Sequence, residues 1–394
     1  MRRILAAFVT LGCVVSLAAP VEAAAAKKIK SGIVFNDPRT RAGATKVENA
    51  IVSVIKGAPG GSKIRMSMYQ FTDAYIVANA LIAAKKRGVD VRIIADHTSL
   101  DRWRAGGKTT AYEKVAAAVG GKAKTCPAGR GCVGKQMNHN KFFLFSRSRG
   151  SKNVVIQTSQ NLMQTGGLTT DWNDAVVLAD NPGAYNAYNR YFNALWAGKS
   201  NLNIWKTLGG PANGAGVTVQ FFPKASGDPV AGMLNKVSCT WVDYGGGKHP
   251  TEVRMAMSDI NVQREWVLSA LTKLKKKGCV VEVLTTIDTR KAPEQAVLNV
   301  LRAGGITTDY ADPNRTQNLM HSKYILVKGR VGKRTGFFIW TGSANMTFGA
   351  LRSSDETMIQ LKRVGTLKSA KIHALYLCNF RKARAFLYGQ RISC

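Results

Sequence analysis

The sequence predicts an α/β protein built from two similar α/β/α sandwich halves, related by a pseudo-twofold axis, with the working site at their junction. Three observations predict it. The chain has 394 residues, too many for one ordinary core and comfortable for two. A strand–helix–strand pattern occurs twice, and alternation of this kind argues for layered sheets covered by helices. A polar signature, His-x-Lys followed by an apolar run, a turn, a second strand and Ser-x-Asn, also occurs twice.

The elements follow in order. Met1-Arg2-Arg3, an apolar stretch from Ile4 to Ala19 and Pro20-Val21-Glu22-Ala23 describe an export signal peptide over residues 1–23. Cys13 follows Gly12, but Thr10 stands where a lipoprotein signal has Leu. The apolar run is short for a membrane span, and no later stretch is apolar enough to cross a bilayer. The first half is expected over 31–200, with a helix at Lys46–Lys56. Lys63–Met68 reads as a strand, Ala83-Ala84-Lys85-Lys86-Arg87-Gly88 as a helix end closed by Gly, and Val89–Ile94 as the next strand. The second half, expected over 215–394, repeats this with a helix at Pro229–Val237, a strand at Glu252–Met257, a helix ending Lys273-Leu274-Lys275-Lys276-Lys277-Gly278 and a strand at Cys279–Leu284. The Gly-rich stretch Gly209–Gly216 reads as the linker.

The polar signature carries the chemistry. The first copy has His139-Asn140-Lys141, the run Phe142-Phe143-Leu144-Phe145 and Thr158-Ser159-Gln160-Asn161. The second has His321-Ser322-Lys323, the run Tyr324-Ile325-Leu326-Val327 and Gly342-Ser343-Ala344-Asn345. Side chains alternate along a strand, so each His shares a face with its Lys. The return strand of each hairpin is expected to bring Ser and Asn beside the His-x-Lys of the same copy. Each copy then holds an imidazole, a cation and two small hydrogen-bonding groups, and two copies facing each other supply both a nucleophile and an acid for a phosphodiester. A single His-x-Lys on a strand is usually accidental. Here two of the five His head the same pattern, with His-to-Asn spacings of 22 and 24 residues. No Zn-ligand spacing, no Gly-x-Ser-x-Gly elbow and no phosphate-binding Gly loop of the Walker type is present.

These paired motifs resemble those of the phospholipase D superfamily, which also contains nucleases, cardiolipin synthases and tyrosyl-DNA phosphodiesterases. The family pattern is His-x-Lys, four residues, Asp, then Gly-Ser-x-Asn. This chain has Ser146 and Lys328 at the Asp position and Thr158 in place of the first Gly. The departure bears on substrate class more than on chemistry. The resemblance implies an acidic residue after each Asn that orients a catalytic His; Asp174 and Glu356 match it, with Asp171 and Asp355 as neighbours. It further implies attack on phosphorus by one His, a phospho-histidine intermediate, and protonation of the leaving alcohol by the other. Lys141, Lys323, Asn161 and Asn345 would hold the phosphoryl oxygens, with Ser159 and Ser343 in support. The resemblance favours His139 as nucleophile and His321 as acid; the residues themselves leave that open. No metal and no cofactor is expected, because the side chains already supply nucleophile, acid and positive charge.

Net charge narrows the partners. The chain carries +34, and removing 1–23 takes away two Arg and one Glu, leaving +33. Such a chain seeks anionic partners: a phospholipid surface or nucleic acid. Charge alone does not separate a phospholipase D from a secreted nuclease, and a non-catalytic binder of anionic polymer is a third class, which two intact sets of His, Lys and Asn argue against. A monomer is expected, since one chain carries both copies. Tyr69, Gln70, His97 and Asp288 are candidate cleft residues at strand ends. Trp103, Trp172, Trp205 and Trp340 are candidate base or lipid contacts, although most Trp are core. The basic turns at 147–152 and 330–334 are candidate phosphate contacts, although such tips are usually just solvated. Six Cys remain after the signal; even numbers in exported chains suggest disulfides. Cys126 and Cys132 could close a short loop, and Cys239–Cys279 is expected at the sheet edge opposite the site, leaving Cys378 with Cys394.

Overall fold

The computed structural model describes residues 27–163 and 171–393. The expected signal peptide and the Cys394 end of the expected Cys378 pairing lie outside them. Two sheets form the frame. The first has seven strands in the order Gly32–Phe35, Asp174–Leu178, Ser151–Thr158, Lys141–Ser148, Lys63–Met68, Asp90–Ala95 and Ala123–Thr125. The second repeats that order with Val217–Phe222, Glu356–Leu361, Arg334–Gly342, Lys323–Val331, Glu252–Met257, Val280–Thr286 and Thr307–Ala311. In each, the last three strands run parallel and the hairpin joins them antiparallel.

The apolar runs explain the layering. Phe142 and Leu144 point into a central core, and Phe143 and Phe145 into an outer one. Tyr324 and Leu326 face the same central core, while Ile325 and Val327 face a second outer core. A strand covered on both faces has no polar side, hence the unbroken run. Truncating wholly buried Phe142 to Ala would cost about 3–5 kcal/mol. The central layer consists of the helices Pro182–Ala197 and Ser369–Leu387, packed between the sheets. The two halves therefore share one helical layer and one core.

Local chemistry sets the element ends. The paired helices Tyr75–Lys86 and Glu265–Lys276 are followed by Gly88 and Gly278 at φ +84° and +87°, a conformation Gly adopts without the Cβ penalty. The helix expected over Pro229–Val237 stops at Leu234, and Val237–Ser238 pairs instead with Lys323–Val331. Part of the expected linker, Ala212–Gly214, is an edge strand on Val217–Phe222.

Cys126–Cys132 and Cys239–Cys279 are disulfides, each with a Cα separation of 4.6 Å. Cys279 immediately precedes Val280–Thr286, and the Cys239 carbonyl accepts from Thr251 N just before Glu252–Met257. That bond therefore lies at the amino-terminal edge, away from the His-x-Lys motifs.

Candidate active site

Both His-x-Lys motifs stand where the hairpin strand begins. Lys141 pairs with Met68, the last residue of its neighbouring strand, and Lys323 pairs with Met257 in the same way. Each His lies just ahead of the strand, in a two-residue bridge to the other half. Asp355 N donates to Met137 O (2.8 Å) and Asp355 O accepts from His139 N (3.0 Å). Trp172 N donates to Leu319 O (2.8 Å) and Trp172 O accepts from His321 N (3.1 Å). The halves are thus stitched beside each imidazole, by the same pattern.

This stitching decides the partners. His139 Nδ1 lies 2.8 Å from Glu356 Oε1, and Ser343 Oγ donates to Glu356 Oε2 at 2.5 Å. His321 Nδ1 lies 2.9 Å from Asn173 Oδ1, to which Ser159 Oγ donates at 2.9 Å. Each imidazole is therefore held by the Ser arm of the opposite copy, whereas the return hairpin was expected to serve its own copy. Strand pairing brings Ser close to its own sheet, but the side chain crosses the junction.

Asp174 does not hold His321. Its Oδ2 accepts from Thr341 Oγ1 (2.7 Å) and Tyr376 OH (2.9 Å). Its true counterpart is Thr357: Ser159 N donates to Asp174 O as Ser343 N donates to Thr357 O. The acidic-residue reading was one position late, and the amide Asn173 stands opposite the carboxylate Glu356. The signal was available in part, because Asn173 directly precedes the strand Asp174–Leu178 while Glu356 opens its strand.

The other expected residues also fall here. Lys141 Nζ donates to His139 O at 2.8 Å, and Lys323 Nζ donates to His321 O. Asn161 Nδ2 donates to Gln70 Oε1 at 3.2 Å. Asn345 is half-buried, and Arg264, paired with Asp228, donates to its carbonyl at 2.9 Å. The Tyr69 ring lies 4.9 Å from the His139 ring, and Lys141 Nζ lies 5.1 Å from the Tyr69 centroid. Tyr69 and Gln70 thus belong to the site. His97 is exposed, and Asp288 is engaged with Asn314, Arg290 and Lys291. Trp103 is 83 % exposed; Trp172 and Trp340 are core, and Trp205 packs on Phe222. The basic turns sit at the far ends of the strands that Lys141 and Lys323 open. At the two unusual motif positions, Ser146 Oγ accepts from Lys63 N (2.8 Å) and Lys328 pairs with Glu252 (3.3 Å), so both serve the neighbouring strand.

Electrostatics bind the four groups into one site. Burial, then Lys141 and Lys323, hold His139 well below the usual imidazole range. Burial, Lys323, Lys141 and His139 do the same to His321. Both rings are therefore neutral near pH 7, and an Nδ1–H given to the opposite-half partner leaves Nε2 with its lone pair. Burial also lowers Lys141 well below its ordinary value and Lys323 to about 8. Burial raises Glu356 to about 8, against the pull of Lys141 and the Ser343 hydroxyl. Two buried amines facing each other disfavour their own charge until an anion enters between them. An oxyanion held by both restores it.

A family described as cardiolipin synthase, PLD-like domain, matches residues 51–196 and 248–382. No curated protein sequence matches the chain. Among solved structures, the phosphatidylserine synthase of Haemophilus influenzae Rd KW20 is 12% identical with a TM-score of 0.57, covering 90% of this chain and 86% of its own. The polyphosphate kinase of Porphyromonas gingivalis is 13% identical with a TM-score of 0.55; it covers 91% of this chain, which spans 47% of its length. At these identities the likeness is one of fold.

Proposed function

The chain belongs to the phospholipase D-like family, and from that premise we propose an exported, metal-independent phosphodiesterase that hydrolyses phospholipid headgroups through a phospho-histidine intermediate. The family acts on phosphodiester bonds. The observation that carries the reading is the unequal pair of Nδ1 partners. Glu356 gives His139 an ionisable carboxyl partner, whose ionised form stabilises the positive charge that develops when Nε2 attacks phosphorus. Asn173 gives His321 a neutral amide, which leaves its imidazolium a readier proton donor.

The steps follow. His139 Nε2 forms a bond to phosphorus as the phosphorus–oxygen bond to the leaving alcohol breaks, and His321 protonates that oxygen. The incoming phosphodiester's negative charge offsets Lys141 and Lys323, which favours the protonated His321 this step needs. His321 then takes a proton from water, whose oxygen attacks phosphorus and expels His139. Lys141, Lys323, Asn161 and Asn345 hold the remaining oxygens, with Ser159 and Ser343 fixing Asn173 and Glu356. One chain supplies both arms, so a monomer suffices. Among the described residues no helix is long and apolar enough to cross a membrane.

A nuclease is the second reading. It rests on the +34 charge and on exposed Trp103 between Arg102 and Arg104, a group on which a base can stack. The test is the protein lacking residues 1–23, in excess EDTA, against phosphatidylcholine vesicles, cardiolipin vesicles, single-stranded DNA and RNA. Headgroup release without metal supports the lead; cleavage of nucleic acid alone replaces it. Activity that Ca²⁺, Mg²⁺ or Zn²⁺ must restore sinks the mechanism.

A further inference from the structure

Asp355 is wholly buried and adjoins Glu356. Its carboxylate accepts three backbone N–H groups from the other half: Cys132 (2.6 Å), Gly134 (2.7 Å) and Val133 (3.3 Å). Those donors begin where the Cys126–Cys132 disulfide closes its loop. Asp355 also carries the backbone bridge to Met137 and His139 described above. The socket is tight. A Cβ at Gly131 would lie 2.7 Å from one Asp355 carboxylate oxygen, and a Cβ at Gly134 2.9 Å from the other. A buried carboxylate held this way fixes its own backbone, and with it the backbone of Glu356.

The counterpart of Asp355 across the pseudo-twofold axis is Trp172. It makes the same backbone bridge to His321, but its side chain is packed in the central core. Residues 308–320 contain no Cys, so no disulfide loop leads into His321. On that side Leu319 N donates to the buried carboxylate of Asp171 (3.2 Å), so the disulfide-closed form of the device, with its three N–H donors, stands beside His139.

We propose that Asp355 is a positioning residue for the Glu356–His139 pair, that the disulfide-closed loop is its socket, and that the Cys126–Cys132 bond is a condition of full activity. This rests on the reading that His139 reacts. In a compartment that keeps thiols reduced, the loop would stay open and His139 would lose its alignment.

The test compares the full chain with Asp355→Ala, Asp355→Asn, Cys126→Ala/Cys132→Ala and, as control, Cys239→Ala/Cys279→Ala. Two readouts are taken: kcat and KM on bis(p-nitrophenyl) phosphate, and the Nδ1–H proton resonances of His139 and His321 in ¹⁵N-histidine-labelled protein. Asp355→Ala and the Cys126/Cys132 variant are expected to lower kcat by roughly 10-fold or more, with KM little changed. The His139 resonance should be lost while that of His321 persists. Asp355→Asn, which keeps one acceptor oxygen, should fall between them and wild type. The control should keep both resonances. Retained kcat with both resonances intact overturns the proposal. So does joint loss of both resonances in Asp355→Asn, which would mark a general structural role. If wild type cleaves no phosphodiester, the catalytic reading fails, and the resonances still decide whether Asp355 positions His139.

Discussion

The two halves present the same backbone and different charge. Strand order, register at Lys141 and Lys323, and the bridges beside His139 and His321 repeat. At the two positions that touch Nδ1, one half supplies Glu356 and the other Asn173. Beside them stand Asp355 and Trp172. The repeat thus builds a symmetric cradle of two His and two Lys, and different residues at the junction differentiate the imidazoles. In the proposed mechanism a nucleophile needs its developing positive charge stabilised, and an acid needs to release a proton; an ionised Glu356 would suit the first and the amide the second.

The strongest way to break this comparison is to remove each imidazole. His139→Ala and His321→Ala should each lower turnover by at least ~10²-fold. Near-normal turnover in either folded variant would dismiss a shared site. In rapid-quench experiments only the His321 variant should retain a labelled phospho-enzyme, which sharpens the assignment of nucleophile and acid.

The partners come next. Glu356→Gln should reduce kcat by roughly 10–100-fold, and Asn173→Ala by about 10-fold or less. Equal losses would mean that the carboxylate and the amide do equivalent work.

The lysines give a pH signature. Burial lowers Lys323 to about 8, so in the free protein its charge is present below that pH and is lost as pH rises through it. kcat/KM should therefore fall on the alkaline side near pH 8. Lys323→Arg, whose guanidinium keeps its proton, should move that limb to higher pH. An unmoved limb would assign it to another group.

Salt should have the broadest and least specific effect. Affinity for anionic vesicles should fall from low to high ionic strength, because screening shortens to about 8 Å at physiological salt. The catalytic rate on a small soluble phosphodiester should change little. A flat binding response would show that the +34 charge plays no part in substrate capture.

Much of this was legible in the chain. The His-x-Lys and Ser-x-Asn residues, the doubled strand–helix–strand pattern, the Gly-closed helices and the Cys239–Cys279 bond all depend on local periodicity or on edge position within one sheet. Local rules carry those because period two or 3.6 and turn chemistry act within a few residues. What failed was the assignment of partners across the junction. From Asn161 to Asn173 is 12 residues, and from Asn345 to Glu356 is 11. A search for an acidic residue passes over Asn173, an amide, and makes the adjacent Asp174 look like the match. Only the packed halves decide that Ser159 and Asn173 serve His321, that Ser343 and Glu356 serve His139, and that Asp355 seats in the Cys126–Cys132 loop. These contacts join residues 148 to 223 positions apart. No local spacing encodes them, because they exist only once two sheets share one helical layer and bring their strand ends together.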